Sequence, residues 1–228
     1  MLQKAHEFYN KKSFDQAFEL YKKLADNGDS LAQTSLAFMY QRGESVEVDI
    51  KKAFELYTKA IIEKQPYALF NLAIMYQHGN EAVQKDEKKA HQLFLDSAIA
   101  GVHLAQYQVG LLFEKGIGCT QNYSEAAFWY EEAAKRGHAE AFNNLGVLYK
   151  EGLGVEQNYH RANICFSRAC EKDIATAYYN LGQLYDGGLG VERDHQKALE
   201  LCRKAAFGGH KKAKNIIKKL QESGKIVF

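Results

Sequence analysis

Apolar residues recur along this chain at i, i+4, i+7 and i+8, the spacing of one face of a helix. The pattern is itself repeated. The clearest copies are Asn144-Leu145-Gly146-Val147-Leu148-Tyr149-Lys150-Glu151-Gly152-Leu153-Gly154-Val155 and Asn180-Leu181-Gly182-Gln183-Leu184-Tyr185-Asp186-Gly187-Gly188-Leu189-Gly190-Val191, 36 residues apart. Degenerate copies begin at Ser35, Asn71 and Gln108. A second column holds only alanine, at Ala17, Ala53, Ala90, Ala126, Ala162 and Ala198, in steps of 36, 37, 36, 36 and 36. A third, Ser13, Asp49, Asp86, Asn122, Asn158 and Asp194, keeps the same register. A fixed period of this size marks an array of supersecondary units.

Each column has a physical reading. Ser, Asp and Asn just before an apolar-periodic stretch are helix N-caps, whose side-chain oxygens accept from N–H groups of the first turn. Four residues later comes the small Ala. Four further on comes Tyr21, Tyr57, Phe94, Tyr130 or Phe166, with Cys202 in the last copy. Small and large side chains at i and i+4 share a face and let a second helix approach closely. This is helix B of each repeat. Helix A carries Ala141, Leu145, Leu148 and Tyr149. Gly146 in its middle costs helix propensity and marks a close helix–helix contact.

The spacing predicts thirteen helices. Helices A lie near 31–42, 67–78, 103–115, 139–151 and 175–187; helices B lie near 50–63, 87–100, 123–136, 159–172 and 195–208. A first pair, 2–11 and 14–27, has a shorter turn, and a last, Lys-rich helix spans 210–222. Gly116 and Gly118, Gly152 and Gly154, and Gly188 and Gly190 follow helices A, where a left-handed backbone ends a helix. Ser45 and Glu81 replace the second glycine in the first two long copies. A phosphate-cradling loop is disfavoured because no strand precedes these glycines and no Lys-Ser/Thr follows.

The motif Ala-x-x-x-Leu-Gly-x-Leu-Tyr-x-x-Gly-x-Gly-Val, then Asn/Asp, then Ala-x-x-x-Tyr/Phe-x-x-Ala-Ala-x-x-Gly, resembles the Sel1-like repeat, a branch of the tetratricopeptide superfamily. The resemblance covers 31–210 as five repeats (31–66, 67–103, 104–139, 140–175 and 176–210). Residues 1–30 resemble a repeat with the shorter tetratricopeptide turn, and 211–228 form a C-terminal cap to one repeat domain. The resemblance implies an all-α fold, a right-handed α/α superhelical solenoid of antiparallel helix pairs. It further implies a non-enzymatic adaptor that binds a protein or peptide. An immunity protein neutralising a secreted toxin is the alternative. One bacterial subset pairs cysteines seven residues apart; Cys165 and Cys170 are five apart, which speaks against that subset and its disulfides.

Stacked repeats present an extended concave surface. Residues two before and two after Leu145 point about 200° away from it, off the helix B side. With the position three further on, they form a strip: Thr34, Phe38, Gln41; Phe70, Ile74, Gln77; Tyr107, Leu111, Glu114; Asn143, Val147, Lys150; Tyr179, Gln183, Asp186. Two readings stand at these slots. Large apolar side chains facing a groove suit a peptide or helix, or they pack between successive helices A. Binding is favoured most at Phe38, Phe70, Tyr107 and Tyr179. Only Asn143 and Lys150 fit the two-carboxylate clamp of chaperone-binding tetratricopeptide domains, and loosely.

Composition narrows the remaining choices. The formal net charge of the 228 residues is +2, with 18 glycines and one proline, Pro66. Charge is uneven, since Arg193 to Lys225 carries ten Lys/Arg against three Asp/Glu. A polar outer face on a terminal helix explains this better than nucleic-acid binding. No run suggests a membrane span or a leader, so a cytoplasmic monomer is expected, or a periplasmic or secreted one if a leader was removed. No metal or cofactor is expected, because neither C-x-x-C nor a zinc-spaced His pair is present. His103, His138 and His210 each follow a glycine at a B-to-A turn, which reads as scaffold. Cys119, in a loop where Val is usual, is the one thiol to test for reactivity.

Overall fold

The protein is described here by a computed structural model covering residues 1–223. Its regular elements are α1 (Leu2–Asn10), α2 (Phe14–Asp26), α3 (Ser30–Arg42), α4 (Ile50–Ala60), α5 (Pro66–His78), α6 (Glu87–Ile99) and α7 (His103–Lys115). They continue with α8 (Tyr123–Lys135), α9 (Ala139–Glu151), α10 (Tyr159–Cys170), α11 (Ala175–Gly187), α12 (His195–Phe207) and α13 (Lys211–Glu222). No strand occurs among the described residues. The last five residues of the expected cap, 224–228, lie outside them.

One helix is shorter than its spacing suggests. The segment 50–63 is α-helical only to Ala60, and Ile61–Glu63 tightens into a 3-10 turn with Lys64 left-handed at φ 53°. Lys64 stands where Gly101, Gly137 and Gly209 turn the chain at φ 91°, 85° and 93°, and Pro66 then opens α5 at its first position.

The chain divides into two compact units, Met1–Thr120 and Gln121–Phe228. In the first, α1 packs on α2, α3 on α4 and α5 on α6; in the second, α9 packs on α10, α11 on α12 and α13 on α12. Short turns between neighbours make each pair antiparallel, the helical counterpart of a hairpin. Each unit is thus an all-α stack of helix pairs.

The cap column works as its chemistry requires, with one exception. Asp49, Asp86, Asn158 and Asp194 each accept from the backbone N–H three residues on, at 2.8, 3.0, 2.9 and 2.9 Å, and Asn122 accepts from both Ser124 and Glu125. These residues hold extended backbones with ψ between 92° and 101°. Ser13 enters α2 from the shorter turn at ψ 65° and makes no side-chain cap bond.

Between the helices lie the two packing columns. Ala17, Ala53, Ala126 and Ala162 are wholly buried, as are Tyr57, Phe94, Tyr130 and Phe166. Gly146 explains how: a Cβ there would stand 2.7 Å from Cε1 of Phe166. The glycine lets the ring of helix B press close against helix A. The second glycine of each turn has another task. Added to Gly154, a Cβ would fall 2.3 Å from the carbonyl carbon of Tyr123, at the start of the preceding helix B. Each such turn therefore sits backbone-to-backbone on the repeat before it. Ser45 reaches the same place differently, through a hydroxyl hydrogen bond to Asp15.

Candidate functional site

The concave strip has a different character in each unit. In Met1–Thr120, Phe38 from α3 and Phe70 from α5 line an open groove of about 530 Å3. Around them stand Tyr9 and His6 of α1, Leu31, Thr34 and Ser35 of α3, Gln65, Tyr67 and Asn71 at α5, and Leu104 of α7. None of these lining residues is an acid, Lys or Arg. Leu31, Tyr67 and Leu104 are 46%, 53% and 40% exposed. They form a column of their own at the start of helices A, spaced 36 and 37 residues. The strip drawn from Leu145 missed this column because it lies one turn earlier on the helix. Its spacing, apolar three times over, is the signal that reveals it.

The groove walls are held from behind. Phe70 meets Phe94 edge-on, with centroids 5.6 Å apart, and the Arg42 guanidinium lies 5.3 Å from the Phe38 ring. Tyr9 donates to Glu44 at 2.7 Å, and burial together with that carboxylate pushes its phenol up to about 12. His6 Nδ1 and the Tyr21 hydroxyl are hydrogen-bonded at 2.6 Å. Gln41, Ile74, Gln77, Tyr107, Leu111 and Glu114 are half-buried on the same helices without lining this opening. Gln41 accepts from the buried Tyr57 hydroxyl at 3.0 Å, which gives it a packing role.

In Gln121–Phe228 the same slots, Val147 excepted, are occupied by polar groups that satisfy one another. Asn143 is buried, accepts from Asn180 at 3.0 Å and donates to Asn144 at 3.1 Å. Lys150 donates to Gln183 at 3.3 Å, and Gln183 donates to the Tyr179 hydroxyl at the same distance. Tyr179 stacks on His210 with centroids 4.3 Å apart. Asp186 lies 2.7 Å from His195 Nδ1.

The sequence family follows from this repeat geometry and its matched columns. The Sel1 repeat model matches residues 11–29, 30–62, 66–102, 103–138, 139–174 and 175–210. The chain belongs to the Sel1 repeat family. Its first match takes in part of the segment with the shorter turn. Among solved structures, it resembles a Sel1 repeat protein from Oxalobacter formigenes at 27% identity and TM-score 0.88, covering 98% of this chain and 88% of that one. It also resembles c5321, a protective antigen of uropathogenic Escherichia coli with an SLR fold, at 30% identity and TM-score 0.83, covering 92% and 44%. Among curated proteins it is 37% identical over 131 residues to the chitin synthase regulator SKT5 of Saccharomyces cerevisiae, covering 57% of this chain and 19% of that one. The chain spans under a fifth of the length of the curated relatives it matches.

Sel1 repeats mediate protein–protein interaction, and this family provides a binding scaffold. The other side chains singled out in the sequence fit that setting. All four cysteines are free thiols. Cys119 is half-buried, with Sγ 3.6 Å from the Leu112 carbonyl oxygen, and burial raises its pKa, the opposite of an activated thiol. His138 and His210 are N-caps, whereas His103 lies one place later, inside α7, with Val102 at the cap. A step of 35 rather than 36 from His103 to His138 explains the offset. No helix among the described residues is long and apolar enough to cross a membrane.

Proposed function

We propose that this chain acts without catalysis, by holding a partner protein through an apolar segment seated in the groove of Met1–Thr120. The observation that carries this is the exposed Leu31, Tyr67 and Leu104 column backed by Phe38 and Phe70. Exposed large apolar side chains gathered around an uncharged opening gain most when an apolar peptide or helix covers them. Tyr107, Ile74 and Leu111 extend the proposed contact along α5 and α7. Polar ends of the strip at Gln77 and Glu114 supply its rim, while Gln41 stays with its packing bond to Tyr57. The self-paired slots of the second unit, Asn143, Lys150, Tyr179, Gln183 and Asp186, contribute less. A curated relative is a regulator of chitin synthase. A regulator works through the protein it regulates, and an adaptor role of that kind is what we propose for this chain.

The test is site-specific photocrosslinking to captured partners. A photoreactive phenylalanine at Leu104 or Tyr67 is expected to crosslink a partner that is lost on Phe38→Asp. The same probe at Gln183 is expected to give little. Crosslinks confined to Gln183 would overturn the groove assignment. Capture of one secreted toxin from the same groove would favour the immunity role over an adaptor role.

A further inference from the structure

Helix α13 carries its exposed charge in one sign and partly at the wrong end. Ala213, Ile217 and the half-buried Leu220 turn one side of it onto α12. The other side is exposed and holds Lys211, Lys212, Lys214, Lys218 and Lys219 against a single acid, Glu222. Glu222 lies 3.8 Å from Lys218. The other four lysines form no ion pair among the described residues. Lys211, Lys212 and Lys214 stand at the start of the helix, where the positive end of its dipole repels a cation, and no acid accompanies them in the first turn. Helix stability does not ask for this arrangement, and solubility is served as well by mixed charges. Beside it stands a bare aromatic. Phe207, the last residue of α12, is 97% exposed. The repeat does not require it, since the corresponding places one and two repeats earlier hold Glu171 and Lys135, both in surface ion pairs. Only Gly208, Gly209 and His210 separate Phe207 from Lys211, which keeps the two within about 14 Å. Arg203 and Lys204 flank the ring as well; Asp173, the one acid beside it, accepts from the Tyr178 hydroxyl at 2.9 Å.

We propose that this end of Gln121–Phe228 docks on an anionic bilayer surface, with Lys211, Lys212, Lys214 and Lys219 against the lipid headgroups and the Phe207 ring inserted beside them. Each half of the pattern favours that partner over another. A bare Phe does nothing for solubility, and the interfacial region of a bilayer takes its apolar surface out of water. Recognition of bases and phosphates in nucleic acid draws on the planar fork of Arg, and α13 has no Arg. Its lysines are compact point charges, which need no fixed partner geometry and suit a diffuse layer of anionic headgroups. A cluster of about four to eight basic residues on an amphipathic helix is the size that such a surface attracts. Headgroup charge also relieves the repulsion at the start of α13 that the helix itself leaves uncompensated. The patch shares no residue with the groove of Met1–Thr120, so the two readings stand or fall separately.

Co-sedimentation of the full chain with vesicles tests the proposal. At about 0.1 M salt the chain is expected to bind vesicles of phosphatidylcholine containing about one-third phosphatidylserine, and not vesicles of phosphatidylcholine alone. Raising the salt to about 1 M is expected to release it. Lys211→Gln, Lys212→Gln, Lys214→Gln and Lys219→Gln in one chain are expected to lower the partition coefficient at least about 100-fold, and Phe207→Ala about tenfold. These side chains are exposed, so Tm should stay within about 2 °C of the parent and serves as the folding control. Phe207→Trp gives a second readout with every lysine in place. Its emission is expected to shift to the blue on the anionic vesicles and to be quenched by brominated lipid, with the buried Trp129 as the unshifted reference. Equal binding to both kinds of vesicle, or none to the anionic ones, would overturn the proposal. So would Phe207→Trp emission that does not move on anionic vesicles. Lysine-dependent binding to a DNA duplex or to polyglutamate, without binding to vesicles, would assign the patch to another partner and overturn it as well.

Discussion

The two units carry the same repeat and use its concave slots in opposite ways. In Met1–Thr120 the slots hold Phe38, Phe70 and their apolar rim, and the groove they line is open. In Gln121–Phe228 the equivalent slots hold Asn143, Val147, Tyr179 and Gln183, of which Asn143, Tyr179 and Gln183 are joined to their neighbours by hydrogen bonds. Even the first-turn column changes, from Leu31, Tyr67 and Leu104 to Glu140 and Thr176. A repeat scaffold fixes where side chains point but leaves their chemistry free. Apolar slots keep a surface that a partner can still desolvate. Polar slots that satisfy one another have little left to offer, because a partner must replace bonds already made.

The largest expected effect is on binding. Tyr67→Asp with Leu104→Asp places charge on the apolar rim of the first unit. It is expected to weaken a crosslinked partner about 100-fold, roughly 2.7 kcal/mol. Both side chains are partly exposed, so Tm should stay within about 2 °C. Gln183→Ala with Asp186→Ala in the second unit is expected to change affinity by less than about threefold. Titration calorimetry on the purified pair measures both. Equal losses from the two double variants would break the distinction between the units.

The next effect is on stability, and it asks whether the polar slots of the second unit are structural. Asn143→Leu leaves the half-buried Asn180 and Asn144 without their partner. A loss of about 1–3 kcal/mol is expected in denaturant unfolding. Asn180→Leu should cost a similar amount, and the double variant less than the sum, since the first change already breaks the shared bond. Strict additivity would mean that the asparagines do not act together.

Much of this architecture was legible in the sequence because repetition turns a weak local signal into a strong one. A single Asn or Gly says little, but five caps and three glycine pairs at one period leave few folds. The site was less legible for a physical reason. Asn143 and Phe70 occupy the same slot, yet whether a slot faces a partner or a neighbour depends on the next repeat. Asn144 and Asn180 close it in one case, and nothing closes it in the other. Cys202 was visible as a departure from the aromatic column. Only the structure shows that an opening lies beside Cys202, because the sequence does not say how far α12 and α13 close on that position.

A smaller effect compares the two ends of the cap column. Asn158→Ala in the second unit removes a 2.9 Å bond to the Arg161 N–H and is expected to cost about 1 kcal/mol. Ser13→Ala in the first unit removes no cap bond and should stay within about 0.5 kcal/mol. Chemical unfolding of the two variants side by side decides it, and a similar cost for Ser13→Ala would mean that the short turn uses its hydroxyl after all.

The smallest effect is a pH dependence lodged in the polar strip of the second unit. His210 caps α13 through Nδ1, which accepts from the Ala213 N–H at 3.3 Å, and its ring stacks on Tyr179. Burial, followed by the nearby Lys212 charge, lowers its pKa below the ordinary 6.5. The helix N-terminus disfavours a cation there as well. A lowered pKa means that the unfolded chain takes up the proton first. The stability contributed by neutral His210 is therefore complete above about pH 6.5 and is lost as the pH falls through the lowered value. Half-buried His91 in the first unit shifts the same way and adds its own share. His210→Asn keeps a capping oxygen and removes the titration. Between about pH 7.5 and about pH 5, its Tm should fall less than that of the parent chain, and by less again when combined with His91→Gln. An unchanged slope in His210→Asn would show that the Tyr179–His210 stack does not sense protonation.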